Sequence, residues 1–161
     1  MSRGLPHAKD SLSELEWLKS RMSLTSEPCV KAVLLFGSRA RGEPGERSDI
    51  DLLVLHEGCV IKDIVARRRH FYKLLRGLIG GGVDLTVVDM ELNEFLKPRE
   101  IGPLLLNIYS DAIVLCDSTG SLERLLKDVR RRISESGLKR VRSGRVYRWI
   151  LPEPLKEVKI L

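Results

Sequence analysis

Two aspartates one residue apart, Asp49 and Asp51, open the apolar run Leu52-Leu53-Val54-Leu55. In a strand, residues i and i+2 share one face a few Å apart. Two carboxylates that close repel each other, and among leucines and valines they are costly unless a cation neutralises them. A hard divalent cation with oxygen ligands, Mg²⁺ or Mn²⁺, suits the pair. Upstream, the apolar run from Val30 to Phe36 is closed by Gly37-Ser38. Gly37 lets the backbone turn sharply, and Ser38 leads into a short helix whose free N–H groups would face an anion. Arg39 and Arg41 add positive charge there. Carboxylates that gather a divalent ion beside a turn that gathers phosphate oxygens make the two halves of a site for a metal-bound nucleoside triphosphate.

A third carboxylate would complete a two-metal arrangement, and Asp84, inside the apolar strand "VDLTVVD", is the best placed. Its face carries Thr86 and Val88. Asp89 falls on the opposite face at the strand's end, a position suited to capping the following helix. A DxD pair alone is also what a solvated strand start looks like, so the weight rests on the full set.

These residues need elements to hold them. Ser11-Leu12-Ser13-Glu14 is a capping box ahead of Leu12, Leu15, Leu18 and Met22, which predicts a helix over 12–23. Strands are expected over 30–36 and 48–55, the second ended by Gly58. Apolar residues at helical spacing between Val60 and Ile79 predict a long amphipathic helix stopped by Gly80-Gly81-Gly82. A third strand follows over 83–89, then a brief helix cut by Pro98, a helical "PLLLNIYS" and a fourth strand over 112–116. Leu122, Leu125, Leu126, Val129 and Ile133 mark a last helix with Gly137 as C-cap. Beyond it, Ser143-Gly144 between alternating basic and apolar residues reads as a hairpin turn. The order is mixed α and β, without internal repeats.

With 161 residues, 43% apolar and 31% charged, the chain suits one folded domain and not a disordered segment. The amino-terminal stretch has no apolar core of signal-peptide length and no run long enough to span a bilayer, so a cytoplasmic location without membrane contact is expected. The net charge of +6 is uneven: residues 121–161 carry +7 and the first 120 carry −1. Cys29, Cys59 and Cys116 match neither a metal spacing nor a disulfide framework and read as reduced, structural thiols. His70 reads as part of a solvated basic face, and His7 and His56 have no partner at useful spacing. The Arg67–Arg69 and Arg130–Arg132 runs read as solvated charge.

Gly37-Ser38, ten intervening residues, Asp49-Ile50-Asp51 flanked by apolar residues, and a later strand aspartate resemble the DNA polymerase beta-type nucleotidyltransferase superfamily. The nearest resemblance is to its small archaeal and bacterial minimal nucleotidyltransferase (MNT) members. The match runs from about Lys31 to Asp89, with a weaker echo in "IYSDAIVLCD". It implies an α+β (mixed α/β) nucleotidyltransferase fold, a central mixed β-sheet of about four strands backed by helices. Residues 1–137 would form that domain and residues 138–161 a basic, hairpin-like extension packed on or beside it. Asp49, Asp51 and Asp84 would hold two Mg²⁺ or Mn²⁺ ions and do the catalysis. Gly37, Ser38, Arg39 and Arg41 would bind the nucleotide, with Gly37, Ser38 and Arg41 on the β- and γ-phosphates. The implied reaction moves an NMP, AMP from ATP in the first instance, to an acceptor hydroxyl with release of pyrophosphate.

The resemblance carries a second class of function. MNT relatives are often antitoxins paired with a helical HEPN-type partner, some modifying it with AMP and others acting by binding, so a HEPN-like protein partner is an expectation here. A homodimer is expected from the resemblance alone. In the tail, Lys139, Arg140, Arg142, Arg145 and Arg148 alternate with Tyr147 and Trp149. They read either as a nucleic-acid surface or as a hairpin whose aromatics pack on the domain while its arginines face water; a protein interface is a third reading.

Overall fold

The computed structural model describes residues 11–45, 47–152 and 158–161. His7 and the amino-terminal segment discussed above lie outside them. Among the described residues no helix is long and apolar enough to cross a membrane.

Elements follow in the order α1 (Ser11–Met22), β1 (Val30–Phe36), α2 (Gly37–Ala40), β2 (Ile50–His56), α3 (Ile64–Ile79), β3 (Leu85–Glu91), α4 (Leu92–Leu96), α5 (Pro103–Asp111), β4 (Ile113–Asp117), α6 (Leu122–Glu135), β5 (Lys139–Ser143) and β6 (Val146–Ile150). Four strands form one sheet in the order β3-β2-β1-β4, and β5 and β6 form a separate hairpin. β1 pairs antiparallel with β2 and β4, whereas β2 and β3 run parallel, joined through α3. The sheet is therefore mixed, as expected.

Alternation along β2 explains the layers. Leu53 and Leu55 enter one core with Phe95, Ile108, Tyr109 and Leu126 from α4, α5 and α6. Ile50, Leu52 and Val54 enter the other with Leu18 and Met22 of α1 and Phe71 and Leu75 of α3. With helices on both faces, β2 is a near-continuous apolar run, which is how a strand covered on both sides reads. Its polar start is the exception, and Asp51 continues the row of Leu53 and Leu55.

Several expectations need correcting. α3 starts at Ile64 and not Val60, because the Asp63 side chain accepts from the Ala66 amide at 2.7 Å and caps it there. β3 begins at Leu85, so Asp84 is an exposed residue just before the strand and not inside it. The hairpin turn is Gly144-Arg145, one residue later than expected, with Gly144 at φ +64°. Glu14, read from the sequence as part of a capping box, reaches the Arg39 guanidinium; the Ser11 side chain of that box lies outside the described residues.

The cysteines are the clearest correction. Antiparallel pairing sets Val30 beside His56, and the Glu57 amide donates to the Cys29 carbonyl at 2.9 Å. Cys29, just before β1, and Cys59, just after β2, are thereby brought together in a disulfide, leaving Cys116 as the free thiol. Closing a loop of 30 residues is worth about 3–4 kcal/mol in the chain-entropy account. Thiol titration of the denatured, unreduced protein should find one reactive group and, after reduction, three; three before reduction would refute the bond.

Candidate functional site

The end of β1 and the start of β2 lie side by side because the two strands are antiparallel, with Phe36 opposite Asp51. Gly37 thus starts its turn against Asp51. Its φ is +73°, and a Cβ there would collide with Asp51 Oδ2 and stand 3.0 Å from Asp51 Cγ. Only glycine meets both demands at little cost. Gly37→Ala is expected to cost about 1–3 kcal/mol in denaturant unfolding, from the left-handed backbone and the displaced carboxylate. A neutral result would mean that the close approach is not needed.

Ser38, the second residue of the single turn α2, faces a cleft of ≈710 Å³ together with Arg41 and Ser48. Arg39 points elsewhere. Its Nε donates to the carbonyls of Ser48 and Asp49 at 3.1 and 3.2 Å, its Nη2 to Ser48 at 2.7 Å, and its Nη1 pairs with Glu14. The guanidinium is thus spent on fixing the loop that delivers Asp49. Sequence reasoning grouped Arg39 with Gly37, Ser38 and Arg41 around the nucleotide, but the structure places it outside the cleft.

The aspartates share a face as expected. The Thr86 hydroxyl donates to Asp49 Oδ2 at 3.2 Å, and Thr86 stands directly across from Asp51 in the parallel ladder. The Asp51 carboxyl is pushed above its ordinary range, first by burial and then by Asp49, against the opposing pull of Arg41, Arg39 and Thr86. Asp84 lies just before β3 with the parity of Thr86, and its carbonyl accepts from the Ile50 amide at 2.8 Å, so its backbone stands across from the Asp49–Ile50 segment. Its side chain is exposed. Among the described residues no three acidic, histidine or cysteine side chains close into a cage for a metal ion.

Asp89 is on the other face, as its parity requires, but it does not cap α4. Its buried carboxylate accepts from Arg67 Nε at 2.8 Å and Arg68 Nε at 2.9 Å, with His56 Nε2 at 3.2 Å. Two arginines of the supposedly solvated run are thus tied to one buried acid, and a histidine without an obvious partner in sequence is packed beside it. Arg130 is likewise structural, donating to the carbonyls of Tyr109 and Ala112 at 3.0 and 2.6 Å. His70 pairs with Glu27 at 2.9 Å.

A family model described as a nucleotidyltransferase domain matches residues 15–100, more than half of the chain, from within α1 to beyond α4. The chain belongs to that family. A candidate protein adenylyltransferase of Methanocaldococcus jannaschii is 28% identical over 104 residues, 62% of this chain and 67% of its own. A crystal structure of a candidate nucleotidyltransferase from Sulfolobus solfataricus is 24% identical, with 73% of this chain and 95% of that one covered at a TM-score of 0.44. A crystal structure of a toxin–antitoxin with AMP-PNP is 19% identical, covering 75% and 95% at a TM-score of 0.43.

In this nucleotidyltransferase the aspartate pair fits a divalent ion by the chemistry of its donors. Asp49 and Asp51 offer oxygen donors on one face, and the ionised form of Asp51 is disfavoured by burial and by Asp49, an imbalance that a cation would correct. The fit is to two carboxylates; Asp84 adjoins them through its backbone.

The residues that sequence reasoning missed come from the hairpin. Arg140 grips Asp111, at the end of α5, at 2.8 and 2.5 Å, and Asp111 also meets Arg41 at 3.5 Å. Trp149 Nε1 donates to Asn107 Oδ1 at 2.9 Å. Tyr147 carries Arg140 at 4.0 Å and Arg41 at 4.8 Å from its ring centroid. Tyr147 and Trp149 turn toward Glu43, Arg41 and Asn107, and Arg140, paired across from Trp149, is drawn in with them at 19% exposure, whereas Arg142, across from Tyr147, stays largely in water. The alternation of basic and aromatic residues was the available signal; their partner Asp111 was not.

Proposed function

We propose that this nucleotidyltransferase moves an NMP, AMP from ATP in the first instance, to a hydroxyl on a protein acceptor, releasing pyrophosphate. The observation that carries the reading is the close approach of the Gly37 turn to a pair of mutually repelling carboxylates beside an arginine-lined cleft. The protein acceptor is supported by the M. jannaschii relative, itself a candidate protein adenylyltransferase.

Each residue has a role in this reading. Asp49 and Asp51 hold divalent ions, Mg²⁺ or Mn²⁺, and Thr86 fixes the Asp49 carboxylate. When bound, such ions withdraw charge from the attacking oxygen and from the α-phosphoryl group. Gly37 lets the turn that would bind the phosphates lie against the Asp51 carboxylate, while Ser38 and Arg41 hold the β- and γ-phosphates from the cleft wall. Arg39 positions the loop that delivers Asp49. Asp84 takes the proton of the acceptor hydroxyl as its oxygen bonds to the α-phosphorus and the bond to the β-phosphate oxygen breaks in line.

The test is incubation of the protein with labelled ATP and Mg²⁺ or Mn²⁺, with and without candidate acceptors including a HEPN-type protein. Pyrophosphate release and label on the acceptor, both lost in Asp49→Ala/Asp51→Ala, are expected. No release under any of these conditions, or release that survives in the variant, overturns the reading.

A further inference from the structure

The cleft beside Ser38 has a second wall outside the region that defines the family. Arg142 and Tyr147 of the hairpin strands and Arg145 of its turn face Ser38, Arg41 and Arg47 across it. We propose that the C-terminal hairpin is part of the nucleotide site, with Arg142 and Arg145 binding the terminal phosphate of the triphosphate opposite Ser38 and Arg41. This rests on the reading of the site given above and adds residues to it.

Two independent observations point to a phosphate there. The first is composition: four arginines and one glutamate, Glu43, line the cleft. A concave site lined by like charges focuses its field on an anion, and guanidinium groups suit phosphate oxygens in geometry. The second is that the cations already converge on an anion. The Glu43 carboxylate accepts from the Tyr147 hydroxyl at 3.2 Å and meets Arg41 at 3.4 Å and Arg142 at 3.9 Å. Glu43 and Arg142 are 41% and 59% exposed, so these ion pairs are weak and readily exchanged for a phosphate carrying more charge. The hairpin is not a loose arm, since Arg140–Asp111 and Trp149–Asn107 hold it on α5. Exposed arginines are usually solvated charge, but here they share a cleft with the serine of the glycine-serine turn.

Calorimetric titration of the full chain with Mg·ATP, inorganic tripolyphosphate and AMP tests this. Arg142→Ala/Arg145→Ala is expected to weaken ATP and tripolyphosphate about ten- to a hundred-fold, leaving AMP, which lacks the outer phosphates, within about two-fold. Glu43→Gln should tighten ATP a few-fold by removing the internal competitor. ATP affinity unchanged in both variants overturns the proposal, as does a loss confined to a single-stranded oligonucleotide. Wild-type protein that binds tripolyphosphate through the hairpin yet releases no pyrophosphate from ATP would overturn the catalytic reading and uphold the hairpin site. Binding of neither ATP nor tripolyphosphate would overturn both.

Discussion

Asp51→Asn is expected to lower nucleotidyl transfer about a thousand-fold or more while making the metal-free protein harder to unfold at neutral pH. Both effects have one origin. Asp51 is half-buried beside Asp49, and burial first, then that neighbour, push its carboxyl upward. An acid whose folded value is raised opposes folding once it is ionised, and the penalty fades as pH falls through the raised value. Asparagine keeps the shape and discards the charge, so the penalty disappears and with it, in the proposed reading, a ligand for the divalent ion. On the proposed role of Asp51, function would be held at a cost in stability. Thermal melts with and without Mn²⁺ read this directly: the wild type should gain stability from the ion, and the variant should start higher and gain little. A variant that melts below the metal-free wild type would sink the argument.

Asp89→Ala should act in the opposite sense, costing about 2–3 kcal/mol, or about 5–10 °C of melting temperature for a chain of this size. The Asp89 side chain is fully buried, Arg67 is 13% exposed and Arg68 47%. Removing the acid strands Arg67 and His56, whereas Arg68 can turn to solvent, which keeps the loss below that of an enclosed pair. Burial pushes the Asp89 carboxyl up, but the hydrogen bonds from Arg67 and Arg68 outweigh it and the net direction is down. His56 is pushed down, by burial first and then by Arg67. A histidine depressed in the fold stabilises above its ordinary value, so wild-type stability should decline as pH drops below about 6.5. The Asp89 share is lost further down, below about 3.8. Urea midpoints across pH 4–8 check the sign; a flat profile near pH 6 would contradict the His56 assignment. Because Asp89 faces α3 and not the cleft, folded Asp89→Ala protein should keep its turnover.

Much of this was legible in the chain. Val30–Phe36 and Ile50–His56 announce themselves because β2 is covered on both faces and β1 ends at a glycine with no freedom to be anything else. The pairing of Asp49 with Asp51 on one face follows from strand parity alone. What could not be read depended on contacts between distant segments. Asp89 looked like a helix cap because its strand runs two residues further than expected, and nothing near it in sequence names Arg67 and Arg68 as partners. Cys29 and Cys59 became neighbours only through the register of β1 against β2. Arg39 has the same composition and spacing as a phosphate ligand, and its real partners, Glu14 and two loop carbonyls, are set by where α1 docks. The hairpin arginines were legible as a basic surface but not as a wall of the cleft, since that depends on Asp111.

The connectivity of the sheet also sets an order of assembly. Turn and carboxylate pair lie on a single antiparallel connection between β1 and β2, so bringing them together closes only a short loop. Asp84 arrives by a different route, after α3 has carried the chain across to lay β3 parallel to β2, a contact with a larger entropic cost. We therefore expect the phosphate turn and its two acids to be organised early in folding and the remaining acid to be recruited late. Pulse-labelled amide exchange during refolding should protect the ladder between Leu34 and Leu53 before that between Asp51 and Thr86.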